Sequence, residues 1–225
     1  MPDEVLTAMY LTLKLAFITS FLLLFISIPL AYIIAFSKGR WVSFLEAVVS
    51  LPLVLPPTVL GFYLLLLMSK KGPIGAVFYQ LTGHQLVFHF EGLVLASVIY
   101  SLPMMVHPIA SGFASVPKRL IEASYSLGKN PLQTLFLVIL PNSKGSILSG
   151  IILSFTHTLG EFGVVLMVGG NIEGETRVMS VLIYDSVEAL DYKTAHILSL
   201  IMLSFSFFSL FMLYYVLRHK PKVLS

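Results

Sequence analysis

Long apolar stretches alternate with shorter polar ones along the whole chain. Five of them cover 11–36, 48–68, 92–113, 147–168 and 195–216. Each has about the 20 residues that a helix needs to cross a bilayer. Between them lie a basic turn at 37–40 and longer polar loops at 70–91 and 169–193. The pattern predicts an all-α integral membrane protein with about five transmembrane helices in one polytopic domain over residues 1–225.

The second apolar stretch contains an unusual proline string, LPLVLPPTVLG, at 51–61. Pro52, Pro56 and Pro57 each remove a backbone N–H donor, so the helix must bend or unwind there. Carbonyl groups freed at membrane depth are tolerated only against protein or a water-filled cavity. The stretch is therefore either a wall of a transport pathway or a purely structural bend, and the residues alone leave both interpretations open.

The fourth apolar stretch carries the most polar face of any predicted span. Its polar side chains include Ser154 and Thr158, and Glu161 is ionisable. An ionisable residue inside a span is a functional candidate by default. His157 lies four residues before Glu161, so the two can pair on one helical face. Glu161 either lines or gates a pathway, or it serves structure by bonding freed backbone groups or a neighbouring helix.

A polar interruption at 117–141, PKRLIEASYSLGKNPLQTLFLVILP, separates the third and fourth apolar stretches. Its residues predict two short helices joined by a tight break. The signals are a cap at Ser115 and a first-turn proline at Pro117, a left-handed stop at Gly128, a second start at Asn130 and Pro131, and an end at Pro141. Basic Lys118, Arg119 and Lys129 lie on this segment. We call the segment 117–141 the knuckle and expect another protein to bind it.

Composition supports a membrane protein and excludes several kinds of chemistry. The chain is 57% apolar and 11% charged, with no cysteine, and its mean hydropathy is +0.92. It contains neither a phosphate-binding glycine-rich lysine loop nor a GxSxG or HExxH motif. We therefore expect no ATP hydrolysis or other enzymatic activity by this chain, no cofactor, no metal site and no nucleic-acid partner.

The distribution of Lys and Arg predicts the orientation, because short cytoplasmic loops are enriched in these residues. If the knuckle is cytoplasmic, the inside holds nine of them: Lys38, Arg40, Lys118, Arg119, Lys129, Lys144, Arg218, Lys220 and Lys222. The outside then holds four: Lys70, Lys71, Arg177 and Lys193. This split predicts an outside N-terminus and a cytoplasmic C-terminus.

The knuckle also resembles a known docking motif. The membrane subunits of bacterial ABC importers carry Glu-Ala-Ala, three residues, Gly, nine residues, Ile, one residue and Leu-Pro. This chain has Glu122, Ala123, Ser124, Gly128, Val138, Leu140 and Pro141 at that spacing. It departs at Ser124 and Val138, and both changes are small in volume. The resemblance implies a cytoplasmic coupling helix in a loop at about 114–145, within a type I importer core at about 9–216.

Further segments resemble the molybdate permeases among the type I ABC importers. They are LPLVLPPTVLGFYLLLLMSKKGPIG, HTLGEFG and NIEGETR. Tungstate differs little from molybdate in charge and size, so the permease sequence does not separate them. Sulfate or thiosulfate permeases are the next relatives to consider. An ion-coupled secondary transporter is a further alternative, although it would be expected to hold more charge within its spans.

The resemblance also implies the assembly in which such a chain works. It implies a cell-membrane complex of two copies of this chain, two ATP-binding cassette ATPases and an external solute-binding protein that carries molybdate or tungstate. ATP binding would drive alternating access by rigid-body motion of the two permease halves.

Overall fold

The computed structural model describes residues 2–218, and every regular element in this range is a helix. In chain order these are α1 (Pro2–Phe36), α2 (Arg40–Val54), α3 (Pro57–Met68), α4 (Pro73–Thr82), α5 (Phe90–Ala114), α6 (Lys118–Ser126), α7 (Pro131–Asn142), α8 (Lys144–Leu159), α9 (Gly163–Gly169), α10 (Met179–Glu188) and α11 (Tyr192–Arg218). The all-α prediction is confirmed for this range. The predicted inside residues Lys220 and Lys222 lie outside it.

Among the described residues, three helices, α1, α5 and α11, are long and apolar enough to cross a membrane. Up to five spans result if two sharply bent pairs each count as one, α2 with α3 and α7 with α8, the latter bent by 76°. The three long helices match the first, third and fifth apolar stretches. Helix α1 begins at Pro2, well before the predicted span, and acidic Asp3 and Glu4 occupy its first turn. Negative side chains are favourable there because the helix dipole is positive at its start. The helix also continues through Pro29 without interruption.

The second and fourth apolar stretches are both broken. Helices α2 and α3 meet at an angle of 113°, with Leu55 and Pro56 between them. The predicted kink in the proline string is therefore confirmed. The fourth stretch was expected to be one continuous span, and that prediction was wrong. Helix α8 ends at Leu159 and α9 begins at Gly163, so the chain is non-helical in between.

The centre of the bundle is formed by α1, α5 and α8, which pack against one another. Small residues allow these close approaches, as is common between membrane helices. A Cβ atom on Gly150 of α8 would lie 3.0 Å from the carbonyl oxygen of Met105 in α5. A Cβ atom on Gly61 of α3 would lie 2.8 Å from Cβ of Met167 in α9. The two broken stretches are thus held against each other, α3 on α9.

Helix α11 lies at the edge of the bundle. Only 11% of its most apolar window is buried, compared with 56% for α5. It contacts α8 and α10, and its remaining apolar surface faces outward. Such a surface is suited to a lipid bilayer or to a second membrane subunit.

A polar cluster joins the start of α1 to the segment before α10. Arg177 donates to a Glu4 carboxylate oxygen at 2.7 Å and to the Asn171 side-chain oxygen at 2.7 Å. Deeper in the bundle, the buried Thr12 hydroxyl accepts a hydrogen bond from the backbone N–H of Met179 at 2.8 Å. These contacts lie at one end of α1. Its other end, at Ala35 and Phe36, lines a cleft together with residues of α6. The knuckle and the start of α1 are thus at opposite ends of the molecule.

Candidate functional site

The first half of the knuckle is the nine-residue helix α6 and the turn that follows it. Gly128 has φ +76°, the left-handed conformation predicted for it, which a side chain would disfavour. The turn is closed by hydrogen bonds from the backbone N–H of Gly128 to the carbonyl of Tyr125 and from the N–H of Lys129 to that of Ser124. The predicted Ser115 cap was wrong, because its hydroxyl donates back to the Gly112 carbonyl at the end of α5. Pro117 immediately precedes α6.

The second half of the knuckle is α7, and its start was correctly predicted. Asn130 caps the helix by accepting from the backbone N–H of Gln133 at 2.8 Å, and the Gln133 side chain accepts from the N–H of Asn130 at 3.1 Å. Pro131 occupies the first turn. Pro141 was expected to end the helix, but α7 extends one residue past it to Asn142. Because proline has no N–H to donate, the π-helical turn before it is a local adjustment of the hydrogen-bond ladder.

Ser124 connects the two halves of the knuckle. Its hydroxyl lies 2.9 Å from the hydroxyl of Thr134 in α7, and both residues are buried. The sequence interpretation treated Ser124 only as a small replacement for alanine and missed this contact. The sequence did contain a signal for this contact: one hydroxyl on α6 and a second hydroxyl ten residues later, with a turn glycine between them. The pair fixes α6 against α7.

The outer surface of the knuckle is partly apolar. Leu127 and Leu132 are 79% and 68% exposed on either side of the Gly128 turn. Glu122 and Ala123 are also exposed, whereas Leu140 packs partly against the bundle core. Pro141 is exposed at the end of α7. Apolar side chains grouped on a charged, exposed turn are typical of a surface that another protein covers.

A separate cavity of about 520 Å³ lies where the two broken stretches meet. It is lined by Pro57 and Thr58 of α3, Tyr100 of α5, Thr156 and His157 of α8, and the segment 160–163. A Cβ atom on Gly163 would lie 2.9 Å from Cβ of Pro57, so the start of α9 touches the start of α3. The proline break and the glycine break therefore form one pocket, whose lining is mostly apolar with a few polar groups.

Glu161 belongs to the lining of this cavity and is 3% exposed. Neither of its carboxyl oxygens makes a hydrogen bond of ordinary geometry among residues 2–218, although the buried and otherwise unpaired hydroxyl of Ser97 faces the carboxyl group. The predicted pairing of Glu161 with His157 is not formed among the described residues, because α8 ends between the two residues. His157 Nδ1 instead lies 2.9 Å from the Ser101 hydroxyl. The backbone of Glu161 is bonded at both groups, because its N–H donates to the Thr158 carbonyl at 3.3 Å and its carbonyl accepts from the Ser180 hydroxyl at 2.6 Å.

The other residues proposed for a pathway lie elsewhere. Thr158 bonds the Ser101 hydroxyl at 2.9 Å, and Ser154 donates to the Ile151 carbonyl, so both belong to the buried packing of α8. Pro52 is buried within α2, and Pro56 immediately precedes α3. Of the six predicted pathway residues, the structure brings Pro57 and Glu161 together in the cavity lining.

Residues 27–222 match the family described as the binding-protein-dependent transport system inner membrane component, and the chain belongs to this family. Membership makes it a component of a membrane transport system. Its residues are 47% identical over 215 positions to the molybdenum transport system permease protein ModB of Azotobacter vinelandii, which covers 96% of this chain and 95% of that protein. They are 36% identical over 171 positions to the probable sulfate transport system permease protein cysT of Chlorella vulgaris, covering 76% of this chain and 64% of that one.

Two solved structures share the fold. The inward-facing MetNI methionine ABC transporter gives a TM-score of 0.75 at 15% identity, covering 97% of this chain and 96% of that one. A bacterial ABC transporter involved in alginate import gives a TM-score of 0.75 at 16% identity, covering 95% and 80%. The predicted type I ABC importer permease fold is therefore confirmed.

Proposed function

We propose that this chain is the membrane permease of an ATP-driven importer that moves molybdate or tungstate across the cell membrane. The observation that carries the proposal is the 47% identity to the Azotobacter ModB protein along 96% of the chain. A sulfate or thiosulfate permease is the second candidate. It is supported by a probable sulfate permease of Zygnema circumcarinatum that is 32% identical over 94% of the chain. Molybdate is favoured because its relative has the higher identity over a similar share of the chain.

The assembly that we propose has two copies of this chain, two ATPase subunits and an external solute-binding protein. Each copy is a single polytopic domain over residues 1–225, with a coupling loop at about 114–145. The outward-facing apolar surface of α11 supports contact with lipid or with another membrane subunit. Transport then proceeds by alternating access, in which ATP binding favours one of two rigid-body arrangements of the permease halves.

The knuckle is the proposed contact with the ATPase. Glu122 and Ala123 present an exposed surface on α6, and Gly128 turns the chain so that Leu127 projects from it. Ser124 holds α6 to α7, and Leu140 packs partly against the bundle core, with the exposed Pro141 directly after it. Because α6 is joined to α7, and α7 to the bundle core, a displacement of α6 by the ATPase is transmitted to the transmembrane helices.

We also propose that the knuckle is cytoplasmic and that the N-terminus lies outside. The support is the Lys and Arg distribution together with the position of the knuckle and the start of α1 at opposite ends of the molecule. Helix α1 has 35 residues, so at about 1.5 Å per residue it is roughly 50 Å long, enough to cross the bilayer and its headgroup regions.

The test is ATP hydrolysis by the full complex in proteoliposomes, with and without an oxyanion-loaded binding protein. Stimulation and uptake with molybdate or tungstate, and neither with sulfate, are the expected results. Stimulation by sulfate alone would replace the substrate but keep the importer. Failure to form a complex with any ATPase, together with uptake driven by an ion gradient, would refute the proposal in favour of a secondary transporter.

A further inference from the structure

The cavity between the broken stretches contains hydrogen-bond donors that the chain itself does not use. The hydroxyls of Thr58 and Tyr100 have no hydrogen-bond partner among the described residues, and both side chains line the cavity. His157 is bonded through Nδ1 to Ser101, which leaves Nε2 as its other polar atom. Its ring lies against that of Tyr100, with centroids 4.6 Å apart. Three residues, each with a polar side-chain atom that the chain does not use, therefore line one pocket.

One further hydroxyl in the same lining is already committed. Thr156 donates to the Ile152 carbonyl within α8 at 2.8 Å. It therefore contributes to the shape of the cavity but offers no free donor. Ser149, also on α8, is bonded in the same way to the Gly145 carbonyl at 2.9 Å but is not among the residues that line the cavity, so it provides a control hydroxyl outside the proposed site.

The start of α3 directs the positive end of a helix dipole at the cavity. The first turn of a helix leaves backbone N–H groups without intrahelical partners. Because Pro57 has no N–H, Thr58 is the first residue of α3 that can donate one, and α3 has 12 residues in all. In transporters, broken helices commonly direct such termini at the anionic groups of their substrates. The second break, at Gly163, is what brings the lining together here.

The carboxyl group of Glu161 lies beside the proposed anion, so its charge has to be compatible with an anion in this pocket. An ionised carboxylate without a partner would be costly at such burial and would repel an anion. The neutral acid avoids both penalties. No Lys or Arg lines the cavity within the described part of the chain, so an anion there would be held by neutral groups alone. Such a site binds weakly, which suits an anion in transit.

We propose that this cavity is a transient site for a tetrahedral oxyanion, with Thr58, Tyr100 and His157 as its donors and Glu161 neutral beside it. The proposal rests on the proposed import of oxyanions and names the residues that would carry the anion through the permease. The binding protein outside provides the affinity for the oxyanion. Within the membrane, this site provides hydrogen-bond donors in place of water.

The experiment measures ATP-driven tungstate uptake by the full complex in proteoliposomes for Thr58→Val, Tyr100→Phe and, as the control outside the cavity, Ser149→Ala. Thr58→Val and Tyr100→Phe should each lower the maximal uptake rate by about 10-fold, because each removes a hydrogen bond to a charged group. The concentration of loaded binding protein that gives half-maximal uptake should not change, because the proposal places the affinity for the oxyanion in the binding protein. Ser149→Ala should match the unmodified chain.

Glu161→Gln supplies an independent arm. The amide is neutral and similar in size, so uptake should stay within about threefold of the unmodified rate. Loss of uptake in Glu161→Gln with the ATPase still bound would overturn the neutral-acid assignment. Equal uptake by Thr58→Val, Tyr100→Phe and Ser149→Ala would overturn the donor site. If the unmodified complex takes up no oxyanion, the proposed function itself fails, which separates the two outcomes.

Discussion

The contact between Ser124 and Thr134 predicts a measurable coupling between the two halves of the knuckle. Both hydroxyls are buried, at 6% and 0% exposure, and lie 2.9 Å apart. Among the described residues neither side chain has another hydrogen-bond partner, so each depends on the other. Ser124→Ala would leave the Thr134 hydroxyl buried without a partner, and Thr134→Val would do the same to Ser124.

The magnitude follows from the cost of an unpaired buried polar group. Leaving one hydroxyl unsatisfied costs about 1–3 kcal/mol, whereas removing both partners together can be nearly neutral. Each single variant should therefore weaken local stability by about 1–2 kcal/mol, which is a factor of roughly 5–30 in the opening equilibrium. The double variant should be less destabilised than the sum of the two singles by about 1 kcal/mol.

Amide hydrogen exchange across Lys118–Ser126 and Pro131–Asn142 measures this local opening directly. The two single variants should exchange faster than the unmodified chain in both helices, and the double variant should recover part of the protection. Ser126→Ala is the matched control, because the exposed Ser126 hydroxyl bonds only the Glu122 carbonyl within α6. Strictly additive effects of the two substitutions would show that the hydroxyl pair does not join the helices.

Three further predictions concern backbone strain, a buried hydrogen bond and a helix cap. Gly128→Val should impair ATPase association and stimulation, because the left-handed conformation costs a side chain about 1–2 kcal/mol even though space is open there; Gly128→Asn should be milder, and normal ATPase coupling in Gly128→Val would contradict this. Thr12→Val should lower the free energy of unfolding by about 1–3 kcal/mol, because it leaves the buried N–H of Met179 unpaired; Thr12→Ser should restore stability in a thermal-unfolding assay, and equal melting of both variants would argue against the bond. The hydroxyl of Thr194, and after it the backbone N–H of the same residue, hold the pKa of the Asp191 carboxyl below its ordinary value. Because this pKa is lower in the folded state than in the unfolded state, the helix cap that Asp191 forms at the start of α11 weakens as the pH falls through the folded-state pKa. Exchange in that first turn should accelerate on acidification relative to Asp191→Asn, and parallel pH profiles would refute the cap.

The knuckle shows which local features sequence can predict. The start at Asn130 and the left-handed turn at Gly128 were predicted correctly, because capping and backbone handedness depend on residues within a few positions. The cap at Ser115 failed because α5 continues to Ala114 and its final turn uses that hydroxyl. The pairing of Ser124 with Thr134 depends on how two helices fold back on each other, which no local rule specifies.

The sequence by itself determined that the chain is an all-α membrane protein, where its long helices run and that the proline string must bend. Those properties follow from the length of apolar runs and from the missing N–H of proline, both of which are local. Only the tertiary structure decided that the fourth stretch breaks before Gly163 and that this break meets Pro57. Close packing of α3 on α9 through glycine brings residues about a hundred positions apart into one cavity. The unpaired environment of Glu161 is set by that packing, because the end of α8 separates it from His157.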